Sequence, residues 1–403
     1  MSTCSAVLVL PSGADGQQGP VAALVSTAGW AAAARRVLGA SWIVTPTGPI
    51  DPAAARRQGS APELTSAGAP SWRRHLPTVA KTAAKDVRAL RRAHRFRIEA
   101  DGPWRGTEVA FAWQRHELFH TAGLDLADRL GVPSVLFAPA TAIWESERWG
   151  VRRPGWGRAA ERWGEAPALR RADLVAAGSD AVAEQVVRLG AAPERVLVVP
   201  TGVDLDLFPP ALDGRAARAR LGLADRFVVG WAGSFRRFHA LDLAVDAVAR
   251  VPGAVLLLVG DGPERPAVEA RARAAGVEVV ATGTVSHEDL PELLAAFDVA
   301  LLQSPAAGTF HYSPLKVAEY LAAGRAVVAP DVAPLRRRLV ADEEVVLVPP
   351  GDVRALADAL ARLRDDPARR AALGAAGRAA ERDGSWDHQV ERVVARLAEL
   401  GRR

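Results

Sequence analysis

The sequence predicts an α/β protein made of two doubly wound domains in tandem. Three observations lead to this prediction: the chain length, the alternation of short apolar runs with longer Ala/Arg-rich helical stretches, and the division of those runs into two series. At 403 residues the chain is long enough for two domains that each bury a core. Apolar runs that alternate with helices are typical of parallel sheets covered by helices.

The first series of apolar runs predicts an N-terminal domain over residues 1–205. Its first strand leads into a glycine-bearing loop, Pro11–Pro20, and then into a helix that ends near Leu38. The predicted strands are Ser5–Leu10, Ser41–Thr45, Val109–Ala112, Ser134–Phe137, Leu174–Ala177 and Val196–Val199.

The second series predicts a domain over residues 206–385, followed by a helix over 386–403 that packs back towards the first domain. Prolines and charges predict a linker over Pro200–Asp225. Two doubly wound domains should face each other across a cleft, where open α/β sheets bind ligands. The predicted strands are Phe227–Trp231, Ala254–Val259, Val277–Ala281, Val299–Leu302, Ala326–Val328 and Glu344–Val348.

Charge and cysteine content narrow the class of protein. The 51 basic residues are offset by 46 acidic ones, and no nucleic-acid-binding motif accompanies the net charge of +5, so we expect no nucleic-acid partner. Cys4 is the single cysteine, which excludes an intrachain disulfide and suits a reducing cytoplasm. The apolar run of Met1–Leu10 is too short for a signal peptide, and no window has the roughly 18 apolar residues that a membrane span needs. We therefore expect a cytoplasmic protein.

The stretch Ser71–Arg97 is basic and helical in pattern. It has two interpretations: a surface helix that meets anionic lipid at the inner face of the membrane, or a solvated helix in an arginine-rich protein.

Residues 310–324, FHYSPLKVAEYLAAG, predict an anion site at the start of a helix. Ser313 is a good N-cap, Pro314 suits the first helical position and Gly324 closes the helix. Lys316 lies in the first turn, where it opposes the helix dipole unless an anion is bound. A bound phosphate makes the position of Lys316 favourable, because the anion attracts both the lysine and the positive end of the helix dipole. This turn is therefore a candidate diphosphate site. The alternative is an ordinary capped helix with a solvated lysine, although the chain has only two other lysines, Lys81 and Lys85.

Glu319 lies in the same helix among apolar neighbours. We expect it to be partly buried, and a buried carboxylate needs hydrogen-bond donors. A ribose diol would supply two hydroxyls, and a salt bridge to an arginine is the alternative.

Residues 171–386 resemble the nucleotide-sugar domain of the family-four retaining glycosyltransferases, which have the GT-B fold of two Rossmann-like domains. The resemblance depends on the order and spacing of several short motifs, each weak alone. They are ADLV at 172–175, VPTGVD at 199–204, GWAGSF at 230–235, VGDGPE at 259–264, GTV at 283–285, the helix described above, VPPGD at 348–352 and Trp386.

The resemblance implies a role for each matching residue. Glu319 matches the second glutamate of the family's E-x7-E motif and would bind the ribose of a nucleotide-diphosphate sugar. Lys316, with Ser313, Pro314 and Leu315, would hold the diphosphate. Thr284 and Val285 would meet the base, and Gly233, Ser234, Arg236 and His239 would line the donor pocket.

The chain departs from the family pattern at three of these positions. His311 stands where the first glutamate of E-x7-E is usual, and Ser234 and His239 stand where the family has arginine and lysine. We expect Lys316, His311 and Glu319 to lie nearest the reaction.

The N-terminal half resembles the same family more faintly, in QRHELF at 114–119, AG at 122–123 and RLGVP at 129–133. From this resemblance, Arg115, His116 and Glu145, with Gly13 and Gly16 of the first loop, are acceptor candidates. The acceptor would be a sugar, a lipid-linked glycan or a small metabolite.

These residues predict a metal-independent transferase without a cofactor, in which the nucleotide sugar is a substrate. The histidines lack metal-site spacing, and no catalytic elbow or Walker loop occurs. Two alternatives stay open: a nucleotide-sugar epimerase on the same fold, which would need no acceptor, and a nucleotide-sugar-binding protein whose catalytic site has decayed.

Overall fold

The computed structural model describes residues 4–12, 21–58, 77–148, 150–305 and 315–401. The chain divides into two compact units. The first comprises the chain up to Gly202 together with the segment from Trp386 onward, and the second lies between Val203 and Ser385. The border predicted at 205/206 falls three residues inside the second unit.

The first unit contains a seven-stranded sheet with the order β3-β2-β1-β4-β5-β6-β7. Every pair is parallel except β2 with β3, which is antiparallel. The edge strand β3 was not predicted, because its three residues carry no apolar alternation. The strands are β1 (Cys4–Val9), β2 (Gly39–Thr45), β3 (Gly48–Ile50), β4 (Glu108–Arg115), β5 (Ser134–Ala138), β6 (Leu174–Ala177) and β7 (Val196–Val198).

Nine helices of the described chain belong to this unit. They are α1 (Val21–Leu38), α2 (Pro52–Gln58), α3 (Thr78–Arg95), α4 (Ala122–Leu130), α5 (Ala142–Arg148), α6 (Gly157–Ala160), α7 (Ala166–Arg171), α8 (Asp180–Arg188) and, from the end of the chain, α17 (Trp386–Gly401). A π-helical turn, Glu161–Glu165, joins α6 to α7.

An aromatic cluster attaches α17 to the first unit. The ring of Trp386 lies 5.5 Å from that of Trp30 on α1, and Trp30 lies 5.6 Å from both Trp113 and Phe137 of the sheet. All four side chains are at most 2% exposed. A Cβ at Gly29 would stand 2.3 Å from the Trp386 indole nitrogen, so α1 needs glycine where α17 crosses it.

The second unit contains a six-stranded, all-parallel sheet with the order β10-β9-β8-β11-β12-β13. The order reverses between β8 and β11, which is where open α/β sheets bind ligands. The prediction of two parallel α/β sheets is therefore confirmed. The strands are β8 (Phe227–Ala232), β9 (Ala254–Val259), β10 (Glu278–Gly283), β11 (Val299–Leu301), β12 (Ala326–Pro330) and β13 (Val346–Val348).

Eight helices of the described chain cover this sheet. They are α9 (Arg215–Arg220), α10 (Leu241–Val248), α11 (Arg265–Ala274), α12 (Leu290–Ala295), α13 (Leu315–Ala322), α14 (Ala333–Arg336), α15 (Val353–Asp365) and α16 (Pro367–Ala380). Successive residues of β8 and β11 enter apolar cores on opposite faces of the sheet. Among the described residues, no helix is long and apolar enough to cross a membrane.

The prediction of a linker over Pro200–Asp225 is wrong. Phe208, Ala217 and Leu223 are at most 1% exposed and belong to the core of the second unit. Arg378 of α16 donates a hydrogen bond to the Phe208 carbonyl. The segment has the charges and prolines of a linker because only every third or fourth side chain is buried there.

Candidate active site

Three backbone segments meet at the carboxyl end of β8 in the second unit. The loop after β8 lies directly against the loop after β9, because a Cβ at Gly260 would stand 2.1 Å from the carbonyl oxygen of Gly233. The start of α13 also approaches this point, because a Cβ at Gly233 would stand 2.8 Å from Nζ of Lys316. Both glycines have positive φ. This close approach of backbone requires glycine at both positions. The amides of Gly233 and Gly260 donate to the carbonyls of Val259 and Gly283 at 2.8 and 2.9 Å, so the amides at the start of α13 are the candidates for binding an anion.

Lys316 is held by two aromatic side chains of the same unit. Its Nζ donates a hydrogen bond to Nε2 of His239 at 3.0 Å and lies 4.9 Å from the centre of the Trp231 ring. The solvated lysine of the alternative interpretation is therefore excluded: Lys316 is partly buried. Loss of hydration lowers its pKa to about 7, although the Glu319 carboxylate acts in the opposite direction.

His239 is the neutral partner of this lysine. Burial lowers its pKa well below the ordinary value, and the charges of Lys316 and Arg236 lower it further. A neutral imidazole with its proton on Nδ1 offers a lone pair on Nε2, and the ammonium group of Lys316 can only donate. His239 thus stands where the family pattern has a lysine. Because its imidazole is neutral, it adds no positive charge there and accepts a hydrogen bond from Lys316.

Ser234 and Arg236 lie on the loop after β8 with exposed side chains. The amide of Arg236 donates to the carbonyl of Ser234 at 2.7 Å, and the amide of Phe235 donates to the carbonyl of Asp261 at 3.1 Å. The first bond lies within the loop after β8, and the second attaches that loop to the loop after β9. Neither bond uses the side chains of Ser234 and Arg236, which stay available to a ligand.

Glu319 contacts His287, which the sequence analysis did not single out. The Glu319 carboxylate is 7% exposed, and its Oε1 lies 3.0 Å from Nε2 of His287. The arginine partner considered from sequence is wrong. His287 lies two residues beyond Val285 on the loop after β10, and its proximity to the base-binding motif was the one signal that could have identified it.

Neighbouring contacts fix the rest of this edge. The hydroxyl of Tyr320, next to Glu319, accepts from the amide of Ala232 at 2.8 Å and so attaches α13 to the end of β8. Thr284 is exposed and Val285 is partly buried, directly after Gly283, whose φ is +73°. Leu315 is the first residue of α13 and is partly buried. His311, Ser313 and Pro314 lie outside the described residues, as do Gly13 and Gly16.

Arg115 of the first unit is the last residue of β4, and the charges of two carboxylates act on it. Its guanidinium donates to Oγ of Ser26 at 3.2 Å. Burial lowers the pKa of Arg115, and the nearby charges of Glu117 and Glu145 oppose that shift. Burial raises the pKa of Glu145 to about 6, while Arg115 lowers it. The charges of Arg115 and Glu145 therefore act on each other, and the role of both residues in binding an acceptor stays a prediction.

His116 lies in a different environment, with no exposed side-chain surface. Its Nε2 stands 3.0 Å from Oε1 of Glu165, which also accepts from the amide of Ala142 at 2.5 Å. The second oxygen of Glu165 accepts from the amide of Ile143 at 3.2 Å. In this arrangement His116 acts through Glu165 on the start of α5 and does not reach a ligand directly. Glu165 was missed from sequence, because it lies far from the motif that it supports.

Among the described residues, no group of three histidine, cysteine, aspartate or glutamate side chains is placed to hold a metal ion. The Asp204 carboxylate accepts from the amide of Asp206 at 3.3 Å and caps a short helical turn.

Comparison with known sequences gives matches to both units. Residues 226–366 match the family model described as Glycosyl transferases group 1, and residues 42–207 match that described as Glycosyltransferase Family 4. The chain is 35% identical over 256 residues to a D-inositol 3-phosphate glycosyltransferase of Xylanimonas cellulosilytica, covering 60% of each chain. It is 33% identical over 249 residues to D-inositol 3-phosphate glycosyltransferase 1 of Catenulispora acidiphila, covering 58% of each. The matched region thus spans less than two thirds of these curated relatives.

Solved structures align over nearly the whole chain. The structure of HepE from Anabaena in complex with UDP and glucose aligns with 97% of this chain and 99% of its own, with a TM-score of 0.64 and 18% identity. Sucrose-phosphate synthase from Thermosynechococcus elongatus aligns with 99% of this chain and 98% of its own, with a TM-score of 0.65 and 23% identity. These likenesses confirm the fold class, a GT-B protein with two Rossmann-like domains.

Proposed function

Because the chain belongs to the group 1 and family-four glycosyltransferases, we propose that it transfers a sugar from a nucleotide-diphosphate sugar to an acceptor hydroxyl with retention of anomeric configuration. The observation that carries this proposal is the environment of Lys316. A partly buried lysine at the start of a helix, held by a neutral imidazole and a tryptophan face, has lost much of its hydration. An anion restores the favourable charge interaction that water no longer provides.

The proposed reaction breaks the bond between the anomeric carbon and the diphosphate oxygen and forms a bond from the acceptor oxygen on the same face of the sugar. The acceptor proton goes to the departing phosphate oxygen. Negative charge grows on that phosphate in the transition state, so the protein's contribution is electrostatic. Lys316 and the backbone amides at the start of α13 would stabilise the leaving group, and Glu319 would bind the ribose hydroxyls.

A thermal-shift panel of UDP, GDP, ADP and dTDP with their glucose esters tests donor binding, since any ligand that binds only the folded state raises its stability. We expect the compounds of one base to raise the melting temperature clearly. Both the nucleoside diphosphate and its glucose ester should do so. The stereochemistry is then read from the anomeric proton coupling of the product by NMR. A product with inverted anomeric configuration would contradict the proposed retention. If none of the compounds raises the melting temperature, the proposed nucleotide-sugar donor is contradicted.

For the acceptor, we propose a phosphorylated polyol as the first compound to test. The similar proteins are named as acting on D-inositol 3-phosphate, and Arg115 offers a desolvated cation with Glu117 and Glu145 beside it. Glucose transfer to inositol 3-phosphate, to inositol and to water should be compared by mass spectrometry. Transfer to the phosphorylated compound alone is expected, and equal transfer to inositol would contradict a role for the cation.

A binding protein with a decayed site is the second candidate, favoured by the replacement of the family's arginine and lysine with Ser234 and His239. It predicts saturable nucleotide-sugar binding without release of nucleoside diphosphate. This candidate is excluded if the protein, with an acceptor present, releases nucleoside diphosphate from the tightest-binding donor faster than the uncatalysed reaction does.

We also propose that the protein is cytoplasmic and contacts the inner face of the membrane through α3. Val79, Val87 and Leu90 are 39%, 47% and 49% exposed and share one arc of the helix, with Arg88 and Arg95 exposed on the opposite arc. Co-flotation with vesicles containing phosphatidylglycerol, but not with pure phosphatidylcholine, is expected. Flotation that is unchanged by Leu90→Ser together with Arg88→Ser would contradict the role of this helix.

A further inference from the structure

Gln303 follows β11 at the point where the strand order of the second sheet reverses. β11 pairs with β8, with Ala300 opposite Gly230. Gln303 stands three residues beyond Ala300, and Gly233 stands three residues beyond Gly230. Both residues therefore leave the sheet at the same level on adjacent strands. This puts Gln303 at the sheet edge where Gly233 approaches Lys316.

The side-chain amide of Gln303 is buried and unpaired. The residue is 7% exposed, and neither Nε2 nor Oε1 has a hydrogen-bond partner in the described chain. Of the buried side chains that the structure describes, Gln303 alone leaves two polar atoms without a partner. An amide removed from water loses its hydration, and without a partner nothing compensates for that loss, so buried amides are ordinarily satisfied.

Gln114 provides a matched comparison in the first unit. It lies near the end of β4, the strand that pairs with β1 where the order of the first sheet reverses. Gln114 is fully buried, its Nε2 donates to the carbonyl of His120 at 2.8 Å, and its Oε1 accepts from the amide of Gly123 at 2.7 Å. Both units therefore have a buried glutamine at the corresponding strand. The described part of the protein provides hydrogen-bond partners for the amide of Gln114 in the first unit and none for that of Gln303 in the second.

We propose that Gln303 binds the sugar of the donor, with Nε2 donating to one hydroxyl oxygen and Oε1 accepting from another hydroxyl. This inference rests on the proposed function. Sugar hydroxyls both donate and accept, so they satisfy both ends of an amide. Phosphate oxygens of the diphosphate only accept, so they would leave Oε1 unpaired.

The strand order agrees with this assignment. The proposed base contacts, Thr284 and Val285, follow β10, and the ribose carboxylate Glu319 contacts His287 on that same loop. The proposed diphosphate lysine lies beside the end of β8. A nucleotide sugar bound in this orientation would extend from the end of β10 past the ends of β9 and β8, which places its sugar at the end of β11.

The test replaces each glutamine by methionine, which keeps the length of the side chain and removes both polar atoms. Melting temperatures of wild type, Gln303→Met and Gln114→Met are measured without ligand. Dissociation constants for UDP, GDP, ADP and dTDP, and for their glucose esters, are measured by calorimetry. The diphosphates serve as controls because they lack the sugar.

We expect Gln303→Met to melt about 2 °C above wild type, to keep its affinity for the diphosphate and to lose about tenfold in affinity for the sugar ester. Gln114→Met should melt below wild type, because it orphans two backbone groups. A lower melting temperature for Gln303→Met would overturn the inference, because the amide would then be structural. Unchanged affinity for the sugar ester, or an equal loss for diphosphate and sugar ester, would overturn it as well. A wild-type protein that binds none of the eight compounds would instead overturn the proposed function itself.

Discussion

The carboxyl ends of the two sheets differ in what satisfies their polar side chains. In the first unit, Gln114 and Glu165 are saturated by backbone amides, a carbonyl and an imidazole of the protein. In the second unit, Lys316 meets one imidazole and a ring face, and Gln303 meets no partner in the described chain. Among its described residues the first unit has exceptions, each with a single buried and unpaired atom: the hydroxyls of Ser12 and Thr141, Nδ1 of His116 and His120, and the indole nitrogens of Trp30 and Trp113. Polar groups that the protein satisfies support the fold, and those that it leaves open remain available to a ligand.

This comparison predicts that changes at the unsatisfied groups of the second edge reduce binding and turnover, whereas changes at the satisfied groups of the first edge reduce stability. The largest expected effect is that of Lys316→Ala. Removing a cation that stabilises the leaving diphosphate should reduce kcat/KM by about a hundredfold, and by at least tenfold. Steady-state kinetics measure it, with Lys85→Ala on α3 as the control. A folded and fully active Lys316→Ala variant would show that the phosphate site is elsewhere.

The corresponding change in the first unit is Glu165→Ala. Three donors, the amides of Ala142 and Ile143 and the imidazole of His116, lose their acceptor. The free energy of unfolding should fall by about 3 kcal/mol, seen as a lower urea midpoint, with diphosphate affinity unchanged in the folded protein. If Glu165→Ala is as stable as wild type but fails to bind donor, the distinction between the two edges is wrong.

Glu319→Gln should raise the Kd for nucleoside diphosphate about tenfold and leave kcat almost unchanged, because a ribose contact is equal in ground and transition states. His287→Ala should raise the same Kd less. If His287 only orients the Glu319 carboxylate, the double variant should bind no more weakly than Glu319→Gln alone. Additive losses would mean that His287 contacts the ligand independently, and a pure loss of kcat would assign Glu319 to the chemistry.

The smallest expected effect concerns pH. The pKa of Lys316 is lowered to about 7 in the ligand-free protein, and a bound diphosphate favours the charged lysine and raises that pKa. Binding therefore takes up protons above pH 7, so affinity should fall as pH rises, a fewfold between pH 7 and pH 8. Calorimetry with a nucleotide sugar measures this, because its diphosphate diester has no proton to lose in this range. The Lys316→Ala variant is the control and should show no such slope.

The fold class and most of the strands follow from the sequence alone. Apolar runs such as Ala254–Val259 and Leu174–Ala177 coincide with the observed β9 and β6, because a strand buried on both faces must be apolar along its length. The family and the helix around Lys316 and Glu319 were also identified, since the glycines and the lysine there are fixed by local backbone and charge requirements.

The partners of the polar side chains, by contrast, are known only from the folded structure. The contacts of Glu319 with His287, of Lys316 with His239 and of Glu165 with the start of α5 join residues 22 to 77 positions apart. The assignment of Pro200–Asp225 to a core rather than a linker depended likewise on where Phe208 and Leu223 are buried. Whether a polar side chain has a hydrogen-bond partner depends on which residues lie near it in the folded protein. A local sequence pattern does not contain that information. For this reason Gln114 and Gln303, each at a strand end, look equivalent in the sequence and differ in the folded protein.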